Sequence, residues 1–155
     1  MIVTSYVFRE GRIDYDRLDK LVQSIGKEHL VLDVSCKRAG EQYLVVTDRW
    51  QKLTEEAVDE ALLKKLSVNC DEFLIHAVDV EGKASGIECG LVELLGGWNK
   101  IPVTYAGGIG SFENLKELSE YGKHHMNYTI GSALDLFGGR MKFEDVLAFG
   151  KKFEI

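Results

Sequence analysis

Five short apolar runs, each followed by a stretch of helical periodicity, constrain the fold of this chain more than any other feature. The runs lie at residues 2–8, 30–34, 73–80, 102–106 and 128–130 and are rich in β-branched and aromatic side chains. Several are apolar on both faces, as expected for buried strands of a parallel sheet. Between them, residues 15–25 place Leu18, Leu21, Val22 and Ile25 at helical spacing. Thr54, followed by Glu55, Glu56, Val58, Leu62 and Leu66, reads as a helix N-cap with acidic first-turn residues. Residues 90–95 suggest a shorter helix with glycine near each end. Ser111 caps a run with Leu115, Leu118 and Tyr121, and Phe143, Val146, Leu147 and Phe149 mark a last helix. The order is βα repeated five times, which predicts right-handed parallel crossovers.

The separations between strand starts are 28, 43, 29 and 26 residues. The long interval holds a further strand-like run at residues 42–47, after Lys37-Arg38-Ala39-Gly40, and is read as a hairpin insertion. No linker or low-complexity stretch divides the chain, so residues 1–155 are expected to form one domain or part of one. A closed barrel needs eight βα units in roughly 250 residues, and five units in 155 residues keep that pace. Five strands are also sufficient for a complete open doubly wound sheet. Pattern alone leaves both architectures open.

Composition narrows the function classes. With 19 basic and 25 acidic residues the net charge is −6, which argues against nucleic acid or an anionic membrane as the main partner. No uninterrupted apolar run is long enough to span a bilayer, and Met1 is followed by no basic segment with a cleavage site. Cys36, Cys70 and Cys89 lack metal-ligand spacing and read as free thiols of a reducing, cytoplasmic setting; no metal site is expected. His124-His125 reads as the polar end of a helix.

In either architecture a ligand belongs beyond the C-terminal strand ends, where three glycine-containing turns fall. They are Tyr105-Ala-Gly107-Gly108-Ile-Gly-Ser111, Ile130-Gly131-Ser132-Ala-Leu134, and Asp79-Val-Glu-Gly82-Lys83 followed by Ser85-Gly86. Backbone amides unobstructed by a Cβ suit a phosphate dianion. One such turn is explained by tight βα geometry alone. Two on the adjacent final strands favour phosphate. Asp33 closes an apolar strand and reads either as a general acid or base tuned by burial or as a loop-orienting residue. Asp79 closes another run in a comparable place, so both carboxylates are expected at one mouth. His76 reads as a hydrogen-bonded core histidine. Trp50, after the hairpin, reads as a cover for a ligand or as packing.

Taken together, Leu-Val-Leu-Asp-Val-Ser-Cys at 30–36, Thr-Asp-Arg-Trp-Gln at 47–51 and Phe-Leu-Ile-His-Ala-Val-Asp-Val-Glu-Gly at 73–82 resemble a known family. Val-Thr-Tyr-Ala-Gly-Gly at 103–108 and Thr-Ile-Gly-Ser-Ala-Leu-Asp-Leu-Phe-Gly-Gly at 129–139 extend the resemblance over nearly the whole chain. It is to the eukaryotic-type isomerases of histidine biosynthesis, which act on phosphoribosylformimino-5-aminoimidazole carboxamide ribotide. The resemblance implies a (β/α)8 barrel, of which this chain holds strands 4–8, with residues 2–8 as the fourth. It implies an Amadori rearrangement of a bis-phosphorylated aminoaldose to an aminoketose, without metal or organic cofactor. Asp33 matches the strand-5 catalytic aspartate, mainly an acid. Gly107, Gly108, Gly131 and Ser132 match one phosphate site. Asp79, Gly82 and Gly86 belong to the strand-6 loop facing substrate, and Trp50 resembles the tryptophan that packs over it.

Two parts of the family pattern, the strand-1 catalytic aspartate and the second phosphate site, have no match here. Ala77-Val78 stands where bacterial members carry a catalytic threonine. The chain is therefore expected to be the C-terminal five-eighths of a barrel, inactive alone, and to pair with a copy of itself or with an N-terminal half. Two other readings stand beside the isomerase: the sister cyclase, imidazole glycerol phosphate synthase, and a non-catalytic phosphate-binding half-barrel.

Overall fold

The alternating runs become the parallel part of a mixed sheet, with helices packed on one side. The computed structural model describes residues 1–152. In chain order its strands are β1 (Ile2–Val3), β2 (Phe8–Arg9), β3 (Arg12–Ile13), β4 (Val31–Ala39), β5 (Gln42–Thr47), β6 (Lys52–Ala57), β7 (Glu72–Ala77), β8 (Val103–Ala106) and β9 (Met126–Thr129). The helices are α1 (Tyr15–Ile25), α2 (Glu60–Ser67), α3 (Cys89–Trp98), α4 (Phe112–Tyr121) and α5 (Phe143–Lys151). The parallel strands lie in the order β1-β4-β7-β8-β9, each beside the next in sequence. That order with right-handed crossovers puts every connecting helix on the same face. It is the order of consecutive barrel strands. Among the described residues the sheet does not close.

Alternation along the strands separates two faces. Leu32, Val34, Phe73, Ile75, Val103 and Tyr105 point toward the helices and are buried against Leu18, Leu63, Leu66, Leu91, Leu95, Leu115 and Leu118. Each large aliphatic or aromatic side chain so buried contributes roughly 1.5–3 kcal/mol of transfer free energy. The other face carries Asp33, Ser35, Leu74, His76, Thr104, Asn127 and Thr129, and most of these are half-buried or exposed. The helices pack closely where side chains are smallest. A Cβ on Gly96 of α3 would lie 2.5 Å from the carbonyl oxygen of Gly122, so glycine lets α3 approach the end of α4.

Several expected boundaries move. The run at residues 2–8 is a strand only over Ile2–Val3, because the Thr4 carbonyl accepts from the amides of Val7 and Phe8 and turns the chain back. Phe8 then pairs with Ile13 across a tight turn at Glu10-Gly11, both in the left-handed region. The last strand is Met126–Thr129 rather than 128–130. Thr54 caps no helix. It lies in β6, where its hydroxyl accepts from the Glu56 amide at 3.0 Å. α2 begins six residues later, with the Asp59 carboxylate accepting from the Leu62 amide at 2.8 Å. The insertion is accordingly a three-stranded antiparallel meander, β4-β5-β6, rather than a hairpin alone. The helix expected at 90–95 is longer, Cys89–Trp98.

Candidate functional site

β4 builds one wall of the site. It pairs in parallel with β1 over Val31 and Leu32 and with β7 over Val31–Cys36, so Leu30 and Leu32 are buried and Asp33 emerges on the open face. Asp33 does not close the strand as expected: it is the third residue of β4, which pairing with β7 and then with β5 carries on to Ala39. In that register Ser35 sits beside His76, which places the imidazole diagonally across from Asp33. His76 Nδ1 lies 2.7 Å from Asp33 Oδ1, with the side chains 23% and 16% exposed. The hydrogen bond to Asp33 holds the imidazole above its ordinary pKa against the opposing pull of burial, and the charges of Asp33 and Glu81 add to the rise. His76 is thus hydrogen-bonded as expected, but at the sheet's open face and not in the core.

Beyond the ends of β7, β8 and β9 lies a cavity of about 120 Å³, lined by His76, Glu81, Gly82, the Gly107-Gly108 turn and Gly131-Ser132. Among the described residues no hydrogen bond uses the backbone amides of Gly107, Gly108, Ile109, Gly131 or Ser132. Glycine at 107 and 108 is required by the backbone. Both have positive φ, +128° and +77°, and a Cβ on Gly107 would lie 2.7 Å from the Ala77 carbonyl oxygen. A Cβ on Gly108 would run into the carbonyl of Gly86, whose own amide donates to Gly108 at 2.9 Å. Below this turn Ser111 caps α4 through the Asn114 amide at 3.2 Å, and the Gly110 amide donates to Asn114 Oδ1 at 3.1 Å. Free amides at the mouth of a capped helix form an anion-binding surface.

The structure thus brings Gly82, Gly107, Gly108, Gly131 and Ser132 together, with Asp33 joined to them through His76. Gly86 supports the Gly108 turn from below. Trp50 sits in a turn after β5 in which Asp48, Arg49 and Trp50 all have left-handed φ, +53°, +58° and +68°. Its indole Nε1 donates to Ser35 Oγ at 3.0 Å while the side chain stays half exposed, so it lies over the middle of β4, two residues past Asp33. Asp79 differs from expectation. β7 ends at Ala77, where consecutive turns begin, and Asp79 Oδ2 accepts from the Arg38 amide at 2.8 Å, tying the loop after β7 to the meander.

Two residues of the site were not assigned to it by sequence. His76 needed knowledge of Asp33, 43 positions away. Glu81 lines the cavity with Oε2 buried and unpartnered among the described residues. Its position directly before Gly82 was the available signal. The thiols stand apart from this chemistry: all three cysteines are free, and burial first, with the charges of Asp79 and Glu88, pushes Cys36 up to about 12. No helix among the described residues is long and apolar enough to cross a membrane.

Comparison with known proteins adds a second line. A family model described as "Histidine biosynthesis protein" matches residues 7–141. A chloroplastic 1-(5-phosphoribosyl)-5-((5-phosphoribosylamino)methylideneamino)imidazole-4-carboxamide isomerase of Medicago truncatula is 48% identical over 149 residues, 96% of this chain and 48% of that protein. Isomerases of the same name from Yarrowia lipolytica and Saccharomyces cerevisiae are 40% and 38% identical, each over 98% of this chain and 61% of their own length. The chain therefore spans about half to three fifths of the relatives it matches.

Proposed function

The chain belongs to the histidine biosynthesis protein family and has its (β/α)8-type fold, and from that premise we propose that it forms one part of an isomerase barrel. The reaction is the Amadori rearrangement of a bis-phosphorylated aminoaldose to the aminoketose. Opening the ribose ring needs a proton on the ring oxygen, and forming the ketose needs removal of the proton at C2. Asp33 supplies the acid. It stands within β4 on the open face, half-buried, hydrogen-bonded to His76, a wall of the glycine cavity with free amides. That juxtaposition is the observation that carries the reading.

One phosphate of the substrate binds the amides of Gly107, Gly108, Gly131 and Ser132, with Gly82 at the rim and Gly86 beneath the turn. Trp50 packs over the sugar or the imidazole ring from the β4 side. Asp79 shapes the site by holding the loop that carries Gly82 and Glu81 against β4. The second carboxylate and the second phosphate site come from complementary βα units, which pair with the open edges of β1 and β9. The chain alone is inactive on this reading. No organic cofactor takes part in the chemistry. We place the chain in a reducing compartment, the cytoplasm by the reading of its thiols; its Medicago relative is named chloroplastic.

The test is a barrel reconstituted from this chain and the remaining βα units of a relative. Asp33→Asn should lower turnover by roughly 10²–10⁴-fold while a phosphorylated ligand still binds. Unchanged turnover in that variant would remove Asp33 from the chemistry. A reconstituted barrel that binds the ligand but never turns over substrate would make the chain a phosphate-binding module.

A further inference from the structure

The cavity and the carboxylate are not in direct contact. Asp33 is absent from the residues that line the cavity, whereas His76, bonded to Asp33 at 2.7 Å, is one of its walls. No lysine or arginine lines that cavity, so His76 is the one lining side chain able to carry positive charge. We propose that His76 is a positioning residue that couples the two, holding the Asp33 carboxylate through Nδ1 while its ring faces the anion seated on the glycine amides. The proposal rests on the reading of the cavity as a phosphate site and of Asp33 as the acid.

The groups that face His76 are few. Asp33 approaches from β4, Glu81 from the loop after β7, and the neighbouring positions of β8 and β9 that line the cavity, Ala106 and Thr129, carry no charge. Two carboxylates around one imidazole favour its protonated form. A dianion arriving in the cavity favours that form further. By linkage, a proton on His76 must then strengthen anion binding by the same factor as the anion strengthens proton binding. The pair Asp33–His76 consequently keeps one proton in its shared hydrogen bond while the cavity is filled. During ring opening that proton passes through Asp33 to the ring oxygen, the bond from that oxygen to the anomeric carbon breaks with its electron pair kept on oxygen, and the lone pair of the nitrogen on the anomeric carbon closes the C=N bond in its place. Occupancy by the correct phosphate and readiness of the acid become one event.

The histidine ring signals of the 155-residue chain provide the test, because there are only four, from His29, His76, His124 and His125. A His76→Gln variant assigns the signal, and sulfate serves as a dianion that does not titrate in this range. His76 should titrate above the ordinary histidine value near 6.5, and Asp33→Asn should lower its midpoint. Saturating sulfate should raise the midpoint by about half a pH unit or more, and sulfate affinity should fall by the matching factor, about threefold, as pH rises through it. Sulfate binding that leaves His76 unmoved overturns the coupling alone. No sulfate binding at any pH overturns the phosphate cavity and the coupling with it. If none of the four midpoints responds to Asp33→Asn the pairing is overturned; this arm needs no assignment and uses only wild type and Asp33→Asn, so it survives a misfolded His76→Gln. In the reconstituted barrel, His76→Gln should lower kcat on the order of tenfold and flatten the alkaline limb of the pH profile. A His76 that merely fills space would leave that profile unchanged.

Discussion

Asp33 and His76 illustrate how far local pattern reaches. Asp33 was legible because a carboxylate inside an apolar parallel run is a local signal, although the strand runs on past it to Ala39, and the glycine turns because φ and close approach restrict them to glycine. His76 was legible as hydrogen-bonded but not as part of the site, since the register of β4 against β7 decides what faces it. Asp79 shows the same limit: its partner is a backbone amide on another strand, which no spacing rule encodes. The pair has a consequence for stability. His76 has its pKa raised in the folded chain, chiefly by Asp33, above the ordinary value near 6.5. A group raised on folding contributes its full stabilisation below the unfolded value and loses it as pH rises through the folded value. Urea midpoints measured across that window should therefore fall with rising pH in the wild type. In Asp33→Asn that portion of the fall should disappear.

At the level of elements, the βα alternation and most of the helices followed from apolar periodicity, the barrel-like strand order followed only from the family resemblance, and the meander did not resolve from either. Thr54-Glu55-Glu56 satisfies the local rule for a helix start, yet Lys52–Ala57 lies against β5, and pairing with an existing strand overrides the capping signal. The true cap, Asp59, stands five residues further on. Asp59→Ala should cost the chain about 1 kcal/mol, read as a lower urea midpoint at unchanged slope. Glu55→Ala and Glu56→Ala should move that midpoint little, because neither belongs to the helix. A loss at Glu55 equal to that at Asp59 would return the helix start to Thr54. The turn at Asp48–Trp50 was also beyond local reading. Three consecutive non-glycine residues in the left-handed region cost on the order of 1–2 kcal/mol each, and the Trp50–Ser35 hydrogen bond and the ladder on either side hold them there.

Across the whole molecule, the uneven distribution of exposed apolar surface fits the proposed completion by further βα units. Met1, Ile2 and Tyr6 are exposed on or beside β1, and Leu136, Phe137, Phe143 and Leu147 are exposed in the segment that follows β9. These are the two edges of the parallel sheet. Unpaired strand edges flanked by apolar side chains favour association. Sedimentation of the chain should show dimers or larger species that give way to a one-to-one complex when complementary βα units are added. A well-folded chain that stays strictly monomeric and ignores those units would count against the proposed completion.

The two tryptophans stand in opposite surroundings. Trp98 is buried with its ring 5.8 Å from that of Phe73, whereas Trp50 is 48% exposed and tethered only by its indole nitrogen. The chain thus carries its own pair of optical probes. Emission from Trp98 should be blue-shifted and track the integrity of the core, and emission from Trp50 should be red-shifted, open to quenchers and sensitive to whatever settles over β4. Spectral separation of the two lets one unlabelled sample report folding and occupancy at the same time.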